Sequence, residues 1–149
     1  MRMHYGLLLV NLVLSAIAMY LVMFAMIDGM AEFYNNLNML YMALMMVAPM
    51  GVLMLLLMPS MYPNRGLNLA LGVALAVVFA ASFWFIRAQT AIGDVQFLRS
   101  MIPHHSGAIL MCREASVSDP EISSLCDRII RSQREEIDQM KAILERSPG

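Results

Sequence analysis

The sequence predicts an all-α protein in two parts, three transmembrane helices (residues 1–87) followed by an exported helical hairpin (residues 88–149). Three observations carry this. Three uncharged apolar runs each approach or exceed the roughly 20 residues needed to cross a hydrocarbon core. The 149-residue chain is 60% hydrophobic and 14% charged, with a mean hydropathy of +0.65, which is too apolar for a soluble domain. Beyond Arg87 the charges return, and apolar residues recur at helical period.

The first run, Tyr5 to Ile27, is interrupted only by Asn11 and Ser15. A signal peptide has a shorter apolar region and a small-residue cleavage site, so this run is expected to stay as an uncleaved span. Asp28 to Asn36 is an acidic connector, and Leu37 to Met58 is a second run that carries Pro49 and Gly51. A membrane helix tolerates such residues where neighbours satisfy the freed backbone. Pro59 to Asn68 is expected to turn, with Pro63-Asn64-Arg65-Gly66 as its breaker cluster. Leu69 to Ile86 is the third run, and its Gly72, Ala76 and Ala80 form a small-residue stripe that lets helices approach closely.

No span carries an ionisable side chain in its interior, which argues against a proton-coupled transporter. Arg2 and Arg65 flank the cytoplasmic ends, while the first connector has only Asp28 and Glu32. The positive-inside bias therefore places the N-terminus in the cytoplasm and the hairpin outside, although Arg87 argues the other way. With a net charge of −1 and interspersed signs, nucleic acid is not an expected partner.

Methionine is over-represented, with 17 copies. In the spans it recurs at helical spacing, as Met19, Met23, Met26 and Met30 and again as Met42, Met46, Met50, Met54 and Met58. Flexible apolar packing is the expected role of these stripes, with a relay of Cu(I) between facing thioethers as the alternative. The hairpin differs. Asp94 is expected to cap a helix that runs to Ala115, with Pro103 marking a kink or restart. Asp119 and Pro120 open a second helix that reaches Arg146. Its apolar face is Ile122, Leu125, Cys126, Ile129, Ile130, Gln133, Ile137, Met140 and Leu144.

Met101, His104 or His105, and Met111 or Cys112 share one face of the first helix. Imidazole, thioether and thiol together form a ligand set for a soft cation, Cu(I) or Ag(I). In an antiparallel hairpin, Cys112 pairs with Cys126, His105 with Gln133 and Met101 with Ile137 at one common register. Glu136 and Met140 then fall within a turn of Met101 and His104. The two cysteines lie level near the turn, where an oxidising compartment permits a disulfide. Reduced, they would instead be metal ligands. No Ser/His/Asp arrangement, phosphate-binding glycine loop or paired-carboxylate motif stands out, so an enzyme is not expected. Copper-dependent redox chemistry stays open.

The pattern Asp94-x-x-Phe97-x-x-x-Met101-Ile-Pro-His104-His105-x-x-Ala108-x-x-Met111, followed by Ile129-Ile130-x-x-Gln133-x-x-Glu136-Ile137-x-x-Met140, resembles the CopM-like family, domain-of-unknown-function family 305. The resemblance implies a ferritin-like helical fold outside the bacterial cytoplasm that binds copper or silver ions. It points to Met101, His104, His105, Met111 and Met140 as ligands, with Gln133 and Glu136 in support. Unlike many relatives, this chain has one hairpin and fuses it to three spans. The expectation is a multi-pass protein of the bacterial inner membrane that buffers, sequesters or hands on the ion. It is expected to form a homo-oligomer or to join a membrane partner. The rival reading is an interaction protein whose hairpin docks a partner without metal.

Overall fold

The computed structural model describes residues 2–147, and side chains from residue 4 onward. The Arg2 charge used above for orientation therefore lies outside the described side chains. Among the described residues there are five α-helices and no strand. They are α1 (Arg2–Val22), α2 (Leu37–Leu57), α3 (Arg65–Ala88), α4 (Asp94–Glu114) and α5 (Pro120–Arg146). Short 3₁₀ turns occupy Met23–Met26 and Met30–Glu32. The chain divides into two compact units, one of Met1–Met23 with Asn38–Thr90 and one of Phe24–Leu37 with Ala91–Gly149.

The first unit holds α1, α3 and nearly all of α2. Three helices, His4–Met26 with its terminal 3₁₀ turn, Leu37–Leu57 and Arg65–Ala88, are long and apolar enough to cross a membrane. In the second, 28% of the most apolar window is buried, against 11% and 6% in the first and third, so α2 is the inner helix. Gly51 makes this possible, because a Cβ there would come within 2.8 Å of Leu75 and 3.0 Å of Leu12. Leu8, Leu55 and Tyr62 form the core, with Tyr5, Leu12, Met54 and Leu75 against it.

Polar contacts tie the helices together at their ends. The Tyr5 hydroxyl donates to Asn68 Oδ1 at 2.7 Å, and Asn68 Nδ2 donates to the Tyr62 carbonyl at 2.8 Å. At the other end, Tyr41 donates to the Thr90 carbonyl at 3.0 Å. α3 begins four residues earlier than the sequence pattern suggests. Asn64 is an N-cap rather than part of a longer turn, its side chain accepting from the Leu67 N–H at 3.0 Å. α3 ends at Gln89, in the left-handed region with φ 48°. The expected Met stripe of the first span also stops short, since the α-helix ends at Val22 and Met30 lies beyond the Asp28-Gly29 break.

In the second unit α4 and α5 form an antiparallel pair around Leu98, Ile102, Ile109, Ile137 and Met140. Asp94 is the first helical residue rather than the cap, a position held by Gly93 without a side-chain bond. α4 continues through Pro103, which is buried, with no restart. Asp119 caps α5 as expected, accepting from Glu121 N–H at 2.8 Å and Ile122 N–H at 3.2 Å, with Pro120 in the first turn. Ile122 and Leu125 are exposed, so the turn-proximal part of the expected apolar face is not covered. At that end a disulfide between Cys112 and Cys126 holds the seam in place of apolar packing, with Cα atoms 5.2 Å apart.

The connector between α1 and α2 is the third component of this unit. The Asp28 carboxylate accepts from Arg113 Nη1 at 2.6 Å and Arg134 Nη2 at 3.0 Å, one on each hairpin helix. Buried Glu32 pairs with Lys141 at 2.9 Å. The Asp28 N–H donates to Ser106 Oγ at 2.6 Å, and the Leu37 N–H donates to Gln96 Oε1 at 3.1 Å.

Candidate metal site

The site is built from α4 outward. His105 lies one helical turn beyond Met101, so its Nδ1 comes to 2.9 Å from the Met101 carbonyl. A carbonyl can only accept, so Nδ1 carries the hydrogen and Nε2 is the atom directed across the seam. There it meets Glu136 Oε2 of α5 at 2.7 Å. Glu136 is in turn steadied by Ser132, whose hydroxyl donates to Oε1 at 3.0 Å from one turn earlier on the same helix. The His105 side chain is only 12% exposed, while Glu136 is 47% exposed and free to swing toward solvent.

Met101 packs against the core cluster that contains Met140. The seam that His105 and Glu136 cross thus also holds two thioethers, Met101 and Met140, in its apolar core. A ring held by Nδ1 to a carbonyl is the usual way proteins orient an imidazole whose other nitrogen binds metal. At 2.7 Å the His105–Glu136 contact requires a proton shared between Nε2 and the carboxylate and leaves no room for an ion between the two atoms. Ligation through Nε2 thus requires the Glu136 carboxylate to move aside, which its exposure allows.

The other expected ligands separate from this group. His104 is exposed, its ring centroid 6.2 Å from that of His105 and edge-on to it. Consecutive residues lie about 100° apart around an α-helix, so His104 faces away from the seam that His105 enters. Met111 is 55% exposed. It sits ten positions after Met101, about 15 Å along the axis. Gln133 is half-buried on α5, one turn before Ile137. Cys112 and Cys126 are bonded to each other, so neither offers a thiolate in this state.

Sequence reasoning missed two features. Ser132 as the support of Glu136 follows the ordinary i,i+4 spacing and could have been found that way. The acidic connector and the basic residues Arg113, Arg134 and Lys141 are also complementary, but nothing local links segments separated by 85 to 109 positions.

Among the described residues, no group of three or more His, Cys, Asp and Glu side chains is arranged to hold a metal ion. The seam's donor set depends on thioethers. That composition fits a soft monovalent ion and not zinc or a di-iron centre, which take thiolate, imidazole and carboxylate.

Comparison with known proteins places the same segment. Uncharacterized protein L153 of Acanthamoeba polyphaga mimivirus is 47% identical over 62 residues, 40% of this chain. The chain matches only 41% of that relative's length. No solved structure matches. Neither the relative's name nor the family's description names a reaction. Residues 85–144, which comprise the end of α3, all of α4 and nearly all of α5, match the family described as Domain of unknown function (DUF305).

Proposed function

We propose that this protein binds Cu(I) or Ag(I) on the extracytoplasmic side of a membrane, for buffering, resistance or transfer. Met101, His105 and Met140 hold the ion as cargo, and Glu136 acts as the neighbouring carboxylate that yields Nε2. The observation that carries the reading is the seam itself, where His105 Nε2 is aimed across the hairpin and Met101 and Met140 belong to the same helix–helix packing. The copper and silver preference, the CopM-like assignment and the ferritin-like fold rest on the motif resemblance together with this donor chemistry.

The side of the membrane rests on parity as well as on Lys and Arg placement. If α1, α2 and α3 each cross once, the α1–α2 connector and the C-terminal region emerge on the same side. Their joint membership of one unit supports this arrangement. A reporter active only outside the cytoplasm, fused at the C-terminus, is expected to be active. Activity of a cytoplasm-only reporter would reverse the orientation.

Metal content of the purified full chain, loaded with Ag(I) or with Cu(I) under a mild reductant that spares the disulfide, tests the binding reading. Met101→Leu and His105→Gln are each expected to weaken binding at least tenfold, the range of losses typical even for groups that only support a ligand. Affinity should fall with pH, because protons compete for Nε2.

A second reading is favoured by one feature, the exposed Met111, Ile122 and Leu125 near the hairpin turn. An apolar surface there suits a docking partner without metal. Retention of no metal by wild-type protein would favour it.

A further inference from the structure

Of the ligands suggested by the motif, His104 and Met111 are left outside the seam, and both are exposed. They are not far from each other in angle. Seven residues apart, they lie about 20° from alignment on α4 and about 10 Å apart along its axis. Between them sits Gly107, about 60° round from His104 and one turn from each. Gly107 is the place where the connector comes closest. A Cβ there would lie 3.3 Å from the Met26 carbonyl oxygen and 3.9 Å from Met26 Cβ. The Met26 side chain, 52% exposed, thus originates beside the gap that His104 and Met111 flank. Among the described residues His104 makes no hydrogen bond or ion pair, its contact being the ring of His105.

We propose that Met26, His104 and Met111 form a second soft-cation site, on the outer face of α4, with the connector supplying one of its three ligands. The proposal rests on the reading that the hairpin binds Cu(I) or Ag(I). Two thioethers and one imidazole, with no carboxylate or thiolate among them, select a soft monovalent ion over Zn²⁺, Mg²⁺ or Ca²⁺. Each donor is a long or rotatable side chain anchored within about one turn of Gly107, so the three converge by rotamer change with the backbone unmoved. Exposure makes this the accessible site, where an ion is captured or released, while the seam ion is enclosed. Met26 lies outside the matched residues 85–144, so this ligand belongs to the connector that the membrane spans bring.

The geometry also assigns Gly107 a role. Ala at that position would press on the Met26 carbonyl, which must give by a few tenths of an ångström, so the lack of a side chain at Gly107 is what lets the connector lie this close to α4.

The test is titration of the full chain in detergent, disulfide intact, with Ag(I), read both by bound stoichiometry and by the methyl signals of ¹³C-methyl methionine. Wild type is expected to take two equivalents. Met26→Leu and Met111→Leu are each expected to lose one equivalent, or to weaken it at least tenfold, and to keep the equivalent that depends on His105. The Met26 and Met111 methyl signals should move in the same titration step. Loss of one equivalent in Met101→Leu with the Met26 step intact would separate the two sites. If Met26→Leu binds as wild type does and its methyl signal never moves, the second site is overturned while the seam reading stands. If Ag(I) does not bind at all, both fall.

Discussion

The two units solve opposite burial problems. The first unit, whose three helices are apolar enough to cross a membrane, turns large apolar side chains outward, Leu9 being 64% exposed, and ties its helices together by polar contacts at their ends. The second unit does the reverse, burying the carboxylate of Glu32 to 5% exposure and most of the Asp28 side chain among basic partners. Apolar exposure costs nothing where the solvent is lipid. Buried charge is tolerated in an aqueous domain only when paired and hydrogen-bonded. The two units should therefore respond to different substitutions.

The largest expected effect is in the second unit. Lys141→Met leaves Glu32 buried without its partner and is expected to destabilise that unit by about 3–5 kcal/mol. Adding Glu32→Gln should restore most of the loss. Hydrogen exchange of α5 amides measures both, and α2 amides should not respond.

Next is the Cys112–Cys126 bridge, whose cysteines are 14 positions apart. Replacing both with Ser should cost about 3 kcal/mol in the chain-entropy model. Denaturant unfolding of the second unit reads this directly. An unchanged midpoint would mean that the α4–α5 seam holds the turn without the bridge.

Within the first unit, two glycines provide the contrast. Gly51→Leu forces side chains into Leu12 and Leu75 and should cost about 1–3 kcal/mol by overpacking. Gly72 has nothing within 4 Å of its Cβ position, so Gly72→Leu should leave the monomer intact. If the stripe of Gly72, Ala76 and Ala80 joins two copies, Gly72→Leu should reduce cross-linked dimer in membranes. Equal dimer in both variants would remove the stripe from the association argument.

The smallest expected effect is that of Met54→Leu. Met54 packs against the membrane core, and Leu has similar volume, so the change should cost less than about 1.5 kcal/mol. It should leave metal content within error of wild type. A loss of bound ion would move the site from the hairpin into the spans.

The helices were readable because their signals are local. Three apolar runs, the Asp119-Pro120 cap and the period of α5 each depend on residues within a few turns. The antiparallel register was readable for the same reason, since a short turn fixes it. Asn64 was missed as a cap because its neighbours Pro63 and Gly66 read equally well as a turn. The register put His105 level with Gln133 and Glu136 near Met101 and His104, whereas His105 itself reaches Glu136, because which of two adjacent histidines enters the seam depends on which side of α4 meets α5. The docking of the connector was illegible, because its ion pairs join segments with no local signal between them.

That docking also sets an order of events during synthesis. Asp28 and Glu32 emerge early, whereas their partners Arg113, Arg134 and Lys141 follow 85 to 109 positions later. Until then the connector has two acidic side chains without their cations, and no floor at Ser106 and Gly107 to lie on. The second unit can close only after α2 and α3 have been made. Its completion therefore reports that α5 has been delivered, and a chain cut short before α5 would leave Glu32 without Lys141 and Asp28 without Arg134.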